Sequence, residues 1–230
     1  MKAPASSLRF GDFDGDGRTD VLRALGTWIQ VSWAGISPWQ ILTTTPSAVA
    51  ISDLAVGDFD GDHNADIFWA NGTEWKYAAG GAQWMHLQWS AQRTSDLLFG
   101  DFTGDGKTDV FAVLGNHWGI VRAGGGAAFE IRRPALTFDT AGLVAADFDG
   151  DGFADIGRLS GSTWQSSARG TGAFATLGNA ATTAVPLSSL PVGRFDRDAR
   201  ADVLFWQSLH LGIAPHAGST TMTWSQQDMK

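Results

Sequence analysis

GDFDGDGRTDV, residues 11–21, decides the fold, because variants of it return four more times. GDFDGDHNADI begins at Gly57, GDFTGDGKTDV at Gly100, ADFDGDGFADI at Ala146 and GRFDRDARADV at Gly193, at spacings of 46, 43, 46 and 47 residues. Self-similarity at a period of this length marks a tandem array in which each copy is one supersecondary unit. The likeness extends outward from the motif. SSLRF, SDLAV, SDLLF, AGLVA and SSLPV precede the five loops. Nine residues after the last motif Asp, or eight in the first copy, stands Trp28, Trp75, Trp118 or Trp164, with Leu211 in the fifth. A Gly-rich turn then leads to Trp39, Trp84, Phe129, Phe174 or Met222, and a Ser/Thr-rich connection ends the unit.

Each unit offers four short strand candidates separated by turn signals. In the third copy they are 97–99, 110–114, 118–122 and 129–132, and Leu114-Gly115-Asn116 supplies a hairpin turn, as Ala70-Asn71-Gly72 does in the second. No helix-length apolar period is present, and the Ala-rich stretch 173–184 is interrupted by Gly178, Thr182 and Thr183. A four-stranded unit of this length has the size of a propeller blade. The expected fold is therefore all-β, a β-propeller of five four-stranded blades in one domain over 1–230. The repeats fall near 5–49, 50–93, 94–139, 140–186 and 187–230. Five whole copies closing into a ring would remove exposed sheet edges; a fragment of a longer array, or protomers of a larger ring, is the rival reading.

The motif itself has the chemistry of a calcium loop. Asp12, Asp14, Asp16 and Asp20 occupy positions 1, 3, 5 and 9, Gly17 at position 6 permits a sharp reversal, and the carbonyl of Arg18 at position 7 offers a neutral oxygen. Calcium takes about six to eight such oxygens, and a tightly turned loop aims alternate carboxylates at one centre. Copy four keeps the full set, Asp147, Asp149, Asp151 and Asp155, with Phe153 at position 7. Copy two keeps Asp58, Asp60, Asp62 and Asp66, with Asn64 at position 7, but places His63 at position 6, where a positive φ is strained for a side chain. Copy three has Asp101, Asp105 and Asp109, with Thr103 as a neutral ligand and Lys107 at position 7. In copy five, Arg194 and Arg197 stand beside Asp196, Asp198 and Asp202. That loop is expected to be metal-free, a guanidinium pairing with those aspartates in place of the ion. The rival reading is a set of Asp/Gly turns without metal. Against it, clustered unpaired carboxylates repel one another. The loops hold 18 of the 24 acidic residues, so about four Ca²⁺ ions would offset the formal charge of −8.

That charge argues against nucleic acid, whose phosphates require a basic surface. No apolar run approaches the ~20 residues of a membrane span, so membrane insertion is not expected. The start, MKAPASSLRF, lacks the apolar stretch of a signal peptide. Cysteine is absent, and calcium loops can supply the stapling that disulfides otherwise give.

These loops, and DFDGDGRTDV and DFTGDGKTDV above all, resemble the FG-GAP/VCBS repeats of integrin α-subunit propellers and many secreted bacterial proteins. The resemblance covers nearly the whole chain, from Ser6 to about Trp224, and the Trp strand with its Gly-Gly turn, 75–81, is similar to the bacterial version. It implies a calcium-binding propeller, usually of seven blades, that is secreted or cell-surface and serves adhesion or ligand binding. Five repeats and the altered fifth loop depart from that pattern.

Two functions follow. One is a multivalent carbohydrate-binding or adhesion module, with Trp39, Trp84, Trp89, Glu74 and His117 as candidate ligand contacts. The other is a structural or protein-binding propeller without a glycan ligand, a natural fragment or a recently amplified or engineered repeat. Trp28, Trp75, Trp118 and Trp164 are expected to be core, whereas Trp39 and Trp84 suit core or ligand contact equally. The chain is expected to be a monomer or small homo-oligomer. Catalysis is not expected. Outside the loops only Asp53, Glu74, Asp96, Glu130, Asp139 and Asp228 remain as carboxylates, and Asp53 and Asp96 share one repeat position and read as turn caps. No nucleophile elbow, zinc-protease helix or phosphate-binding loop is present. The five histidines show no metal-ligand spacing.

Overall fold

The computed structural model describes residues 5–123, 129–134, 137, 139–179, 186–195, 198–207, 210–214 and 222–224. Each Asp loop is flanked by short apolar segments that pair as antiparallel strands. In the first copy these are β1 (Arg9–Gly11), β2 (Asp20–Leu25), β3 (Trp28–Ser32) and β4 (Gln40–Thr44), and in the second β5 (Leu54–Gly57), β6 (Asp66–Ala70), β7 (Glu74–Ala78) and β8 (Trp84–Trp89). The third has β9 (Leu98–Gly100), β10 (Asp109–Leu114), β11 (His117–Val121) and β12 (Glu130–Pro134). The fourth has β13 (Leu143–Ala146), β14 (Asp155–Ser160), β15 (Thr163–Ser167) and β16 (Ala175–Asn179). The fifth has β17 (Val192–Gly193), β18 (Asp202–Gln207), β19 (His210–Ala214) and β20 (Met222–Trp224). Five four-stranded sheets result, each in sequence order, one per repeat. Helical geometry among the described residues is confined to 3-10 turns of three residues. The fold is all-β with five propeller blades.

The chain divides into two compact units. One comprises Met1–Phe99, Gly106–Val110 and Val121–Phe129, the other Gly100–Asp105, Phe111–Ile120 and Glu130–Lys230. In the first, Phe59, Phe68 and Trp75 are fully buried, with Phe59 stacked on Phe68 at 5.3 Å. In the second, Phe102 and Trp118 pack against the two sides of Phe111, at ring separations of 5.6 and 5.4 Å. Trp164 is also buried.

Trp28 corrects the sequence reading. The β2–β3 hairpin has the same length as its counterparts, so Ile29 pairs with Ala24 as Trp75 pairs with Ala70 and Trp164 with Leu159, and Trp28 stands one residue earlier on its strand. Ile29 is therefore the buried equivalent of Trp75, and Trp28 turns to the other face, 47% exposed. A one-residue shift along a strand exchanges its faces. The side chain of Leu211 lies outside the described residues. Asp53 and Asp96 are turn caps as expected, accepting the N–H groups of Ala50 and Arg93.

Successive loops are tied together. The position-8 N–H of each copy donates to the position-1 carbonyl of the copy before it: Ala65 to Asp12, Thr108 to Asp58, Ala154 to Asp101 and Ala201 to Asp147, each at 2.6 Å. The glycine that opens the motif makes room for this approach. A Cβ on Gly11 would lie 2.7 Å from that of Ala65, and one on Gly100 2.6 Å from that of Ala154.

Candidate metal loops and an aromatic face

The position-9 Asp, first residue of the second strand, is the hub of each loop. Asp20, Asp66 and Asp155 are fully buried, and one oxygen of each accepts the N–H of Phe13, Phe59 or Phe148. The other accepts the N–H of Ala34, Gly80 or Arg169, in the turn after the third strand. Those three residues have φ near +50°, which aims the N–H at the carboxylate. Gly adopts that region freely, whereas Ala34 and Arg169 are held there at some strain. Burial pushes the Asp66 and Asp155 carboxyls up to about 6, against the N–H donors and with the nearby loop carboxylates adding to the rise.

The position-1 Asp folds the loop itself. One oxygen of Asp12 accepts Gly15 N–H and the other Gly17 N–H; Asp58 does the same with Gly61 and His63, and Asp147 with Gly150 and Gly152. His63 has φ +69°, the strained value expected from its position. Asp101 accepts the N–H groups of Thr103 and Gly104.

Carboxylate oxygens of Asp12, Asp14 and Asp20 lie within 4.8 Å of one another, as do those of Asp58, Asp60 and Asp62 and those of Asp147, Asp149 and Asp155. Two oxygens bound to one calcium at about 2.3–2.6 Å are at most about 5 Å apart. The three clusters thus fit a hard cation in both donor chemistry and spacing. Asp16, Asp66 and Asp151 fall outside these triplets. The position-7 side chains do other work: Asn64 lies against Gly15, Lys107 against Gly61, Phe153 against Gly104 and Arg200 against Gly150, each on the preceding copy.

Arginines reach loop four from outside it. Arg169 pairs with Asp151 at 2.8 Å while stacking 3.4 Å over Phe153, and Arg194 lies 3.5 Å from Asp147. Desolvation acts to raise Asp151, but Arg169 and the Phe153 N–H hold its carboxyl below the usual range. An arginine was expected to serve the aspartates of loop five; the Arg194 guanidinium meets the first carboxylate of copy four. Asp196 and Arg197 lie outside the described residues.

The candidate ligand residues fall on three sheets. Trp39 precedes β4, and the Arg23 guanidinium lies 4.1 Å above its ring while donating to Gln30. Copy four repeats this with Arg158, Gln165 and Phe174. His117 opens β11, opposite Pro134. The second sheet gathers the remaining three. Cross-strand pairing sets Glu74 opposite Trp89 and Lys76 opposite both His86 and Trp69. Glu74 accepts from Lys76 at 2.7 Å and lies 3.5 Å from His86, whose ring is 4.4 Å from that of Trp89. The hydrogen bond from Lys76 holds Glu74 below its usual range. The Lys76 ammonium is buried over Trp69 at 4.6 Å and Trp84 at 5.9 Å, and Trp84 donates to Thr44. Trp84 is thus packed, whereas Trp89 is 72% exposed. Sequence reasoning missed Lys76, His86 and the Arg–Gln pairs. An Arg three residues after the motif Asp and a Gln ten after it, in both copies one and four, was the available signal.

Residues 101–157 match the FG-GAP-like repeat model. A lectin of Agrocybe aegerita that specifically recognises non-reducing terminal N-acetylglucosamine shares the fold, with a TM-score of 0.70 at 15% identity, over 97% of this chain and 68% of the lectin. The Photorhabdus luminescens Tc holotoxin pore aligns with a TM-score of 0.61 at 17% identity, over 96% of this chain and 12% of the toxin chain. No curated protein matches the sequence. The class so defined is a β-propeller built from Asp-loop repeats. Within this chain, the third and fourth repeats contain the segment that is similar to the FG-GAP-like repeat.

Proposed function

We propose that this chain is a calcium-stabilised carbohydrate-binding module, secreted or cell-surface, that holds a glycan on the second sheet around Trp89. The observation that carries the reading is the juxtaposition of an exposed indole, the His86 ring and an ionised Glu74. An aromatic face packs against the C–H face of a sugar, and a carboxylate accepts strong hydrogen bonds from its hydroxyls. Lys76 fixes Glu74 from the buried side, so the acceptor is positioned before a ligand arrives. The fold shared with a lectin supports the same reading. The grouping serves binding and offers no catalytic pair, so we propose no enzymatic activity.

The metal ligands proposed are Asp12, Asp14 and Asp20, Asp58, Asp60 and Asp62, and Asp147, Asp149 and Asp155. Asp16, Asp66, Asp151 and the position-7 carbonyls of Arg18, Asn64 and Phe153 complete the shells, and Asp101, Thr103, Asp105, Lys107 and Asp109 form the third loop's set. Calcium, when bound, supplies positive charge that offsets the crowded carboxylates and holds each loop in its turn.

The binding test is a titration with N-acetylglucosamine and with glycans that end in it. Trp89→Ala is expected to weaken binding at least tenfold without lowering the melting temperature appreciably, and Glu74→Ala to weaken it as much while also lowering stability, because it leaves the buried Lys76 ammonium unpaired. Unchanged binding in both variants rejects this site. The second reading is a structural or protein-binding propeller with no glycan ligand. An array in which no glycan binds the calcium-loaded protein would select it.

A further inference from the structure

Copy four is hollow where its neighbours are filled. Two residues after the motif Asp, Leu22, Phe68 and Phe111 are fully buried, but copy four has Gly157. Cross-strand from that position, copies one and two have Val31 and Tyr77, and copy four has Ser166. Two residues further on, copy one has Trp33, whereas copies two and four have Ala79 and Ala168. Phe148 occupies the space above Gly157, where an added Cβ would come within 2.7 Å of its ring. The volume given up by Ser166 remains as a cavity of about 340 Å³. Protein interiors are packed to near crystal density, so the space that Ser166 leaves where copies one and two have Val31 and Tyr77 needs an occupant or a reason. Its size falls in the range of about 300–1,000 Å³ typical of small-molecule sites.

The wall chemistry is divided. Phe148, Ala168, Ala175 and Leu177 make one side apolar, and Ser166 and Thr176 add hydroxyls. Asp149 and Arg200 stand at the same cavity with opposite charges. Arg200 comes from the fifth repeat and crosses Gly150, whose missing side chain leaves it room. Asp149 belongs to the loop-four cluster and already accepts the Asp151 N–H, so the Arg200 guanidinium and the two hydroxyls are what the cavity offers a ligand rich in hydroxyls. The apolar side suits a methyl group or a C–H face.

We propose that this cavity is a second binding site, for a neutral monosaccharide carrying an acetamido group, separate from the Trp89 face. The proposal rests on the carbohydrate-binding reading but on different residues. The acetamido methyl meets the alanine and leucine wall, and the ring hydroxyls meet Ser166, Thr176 and Arg200. At the place of Ser166, copies one and two carry the larger side chains of Val31 and Tyr77.

The test is a protein-detected NMR titration of the calcium-loaded chain with N-acetylglucosamine and, separately, glucose. The Ala168 amide and the Trp89 indole N–H report on the two sites independently. The proposal expects saturable shifts at Ala168 in the wild type and in Trp89→Ala, at least several-fold weaker with glucose. Ser166→Tyr, which installs the residue of copy two, should abolish them while the Trp89 shifts persist. Arg200→Ala, at an exposed position, should weaken the Ala168 response about tenfold, the loss expected for one charged hydrogen bond, and it decides the matter if Ser166→Tyr does not fold. An Ala168 amide that stays still while Trp89 saturates overturns this site and leaves the lectin reading standing. Movement at Ala168 with a silent Trp89 supports this site and overturns the copy-two face. Equal responses to both sugars overturn the acetamido assignment, and Ala168 shifts that survive Ser166→Tyr overturn the location.

Discussion

Loops one and four carry the same four carboxylates at the same spacing, yet they lie in different fields. In loop one, desolvation and the carboxylates of Asp16, Asp20 and Asp12 push Asp14 up, against an N–H from Asp16. In loop four, Arg169 and Arg194 bring positive charge to Asp151 and Asp147, and Asp151 is held down. The lesson is that a ligand count does not fix how much a loop depends on its ion. Side chains from the following turn and from the next repeat do part of the cation's work in loop four. Loop one is left to the ion.

The largest effect concerns what the two loops share. Asp20→Ala and Asp155→Ala each remove a buried carboxylate that accepts two backbone N–H groups. Each should cost about 3 kcal/mol or more in urea unfolding, in calcium and in its absence. A loss confined to one of them would break the claim that the hub is common to both.

Next in size is the arginine effect. Arg169→Ala combined with Arg194→Ala makes loop four resemble loop one, so its calcium affinity should rise about tenfold. These pairs are partly exposed, so metal-free stability should fall by only about 1 kcal/mol. Calorimetry of the double variant checks both signs. An unchanged affinity would mean that the arginines do not compete with the ion.

Acidity sharpens the same contrast. Asp66 and Asp155 have carboxyls raised to about 6, above their ordinary value near 4, so burial favours the protonated form. The stability this contributes is fully present below about pH 4 and is lost as pH rises through about 6. Metal-stripped protein should therefore melt higher at pH 5 than at pH 7, and saturating calcium should reverse that order by favouring the ionised carboxylates. Melting curves at pH 5, 6 and 7 decide it. The smallest effect belongs to Trp28→Ala, expected to cost less than about 1 kcal/mol because the ring is half-exposed, against about 3–5 for Trp164→Ala.

The repeat period, the strand positions and the aspartate loops were legible because they depend on local spacing. Strand 98–100 and strand 109–114 differ from their sequence-based bounds by about one residue. Trp28 was misplaced because it stands eight residues after the motif Asp where Trp75, Trp118 and Trp164 stand nine after it; Ile29 holds the aligned position. The contact of Arg194 with Asp147 was not legible because the two are 47 residues apart and meet only through the stacking of one loop on the next. The Trp89 face was half-legible: Glu74 and Trp89 stood out as a lone acid and an extra aromatic, but Lys76 and His86 join them only through cross-strand pairing. The cavity in copy four was not visible at all, since it is made of residues that are small, not of residues that are distinctive.

The central claim, that the aspartate loops fold around calcium, is tested most directly by melting metal-stripped protein across a calcium titration. A ligand at about a hundredfold excess over its Kd adds about 2.7 kcal/mol per site, which for a chain of this length is a rise of about 5–10 °C from one site alone. The account predicts a rise of at least that size, saturable and reversed by EDTA. A melting temperature indifferent to calcium from zero to millimolar would contradict it.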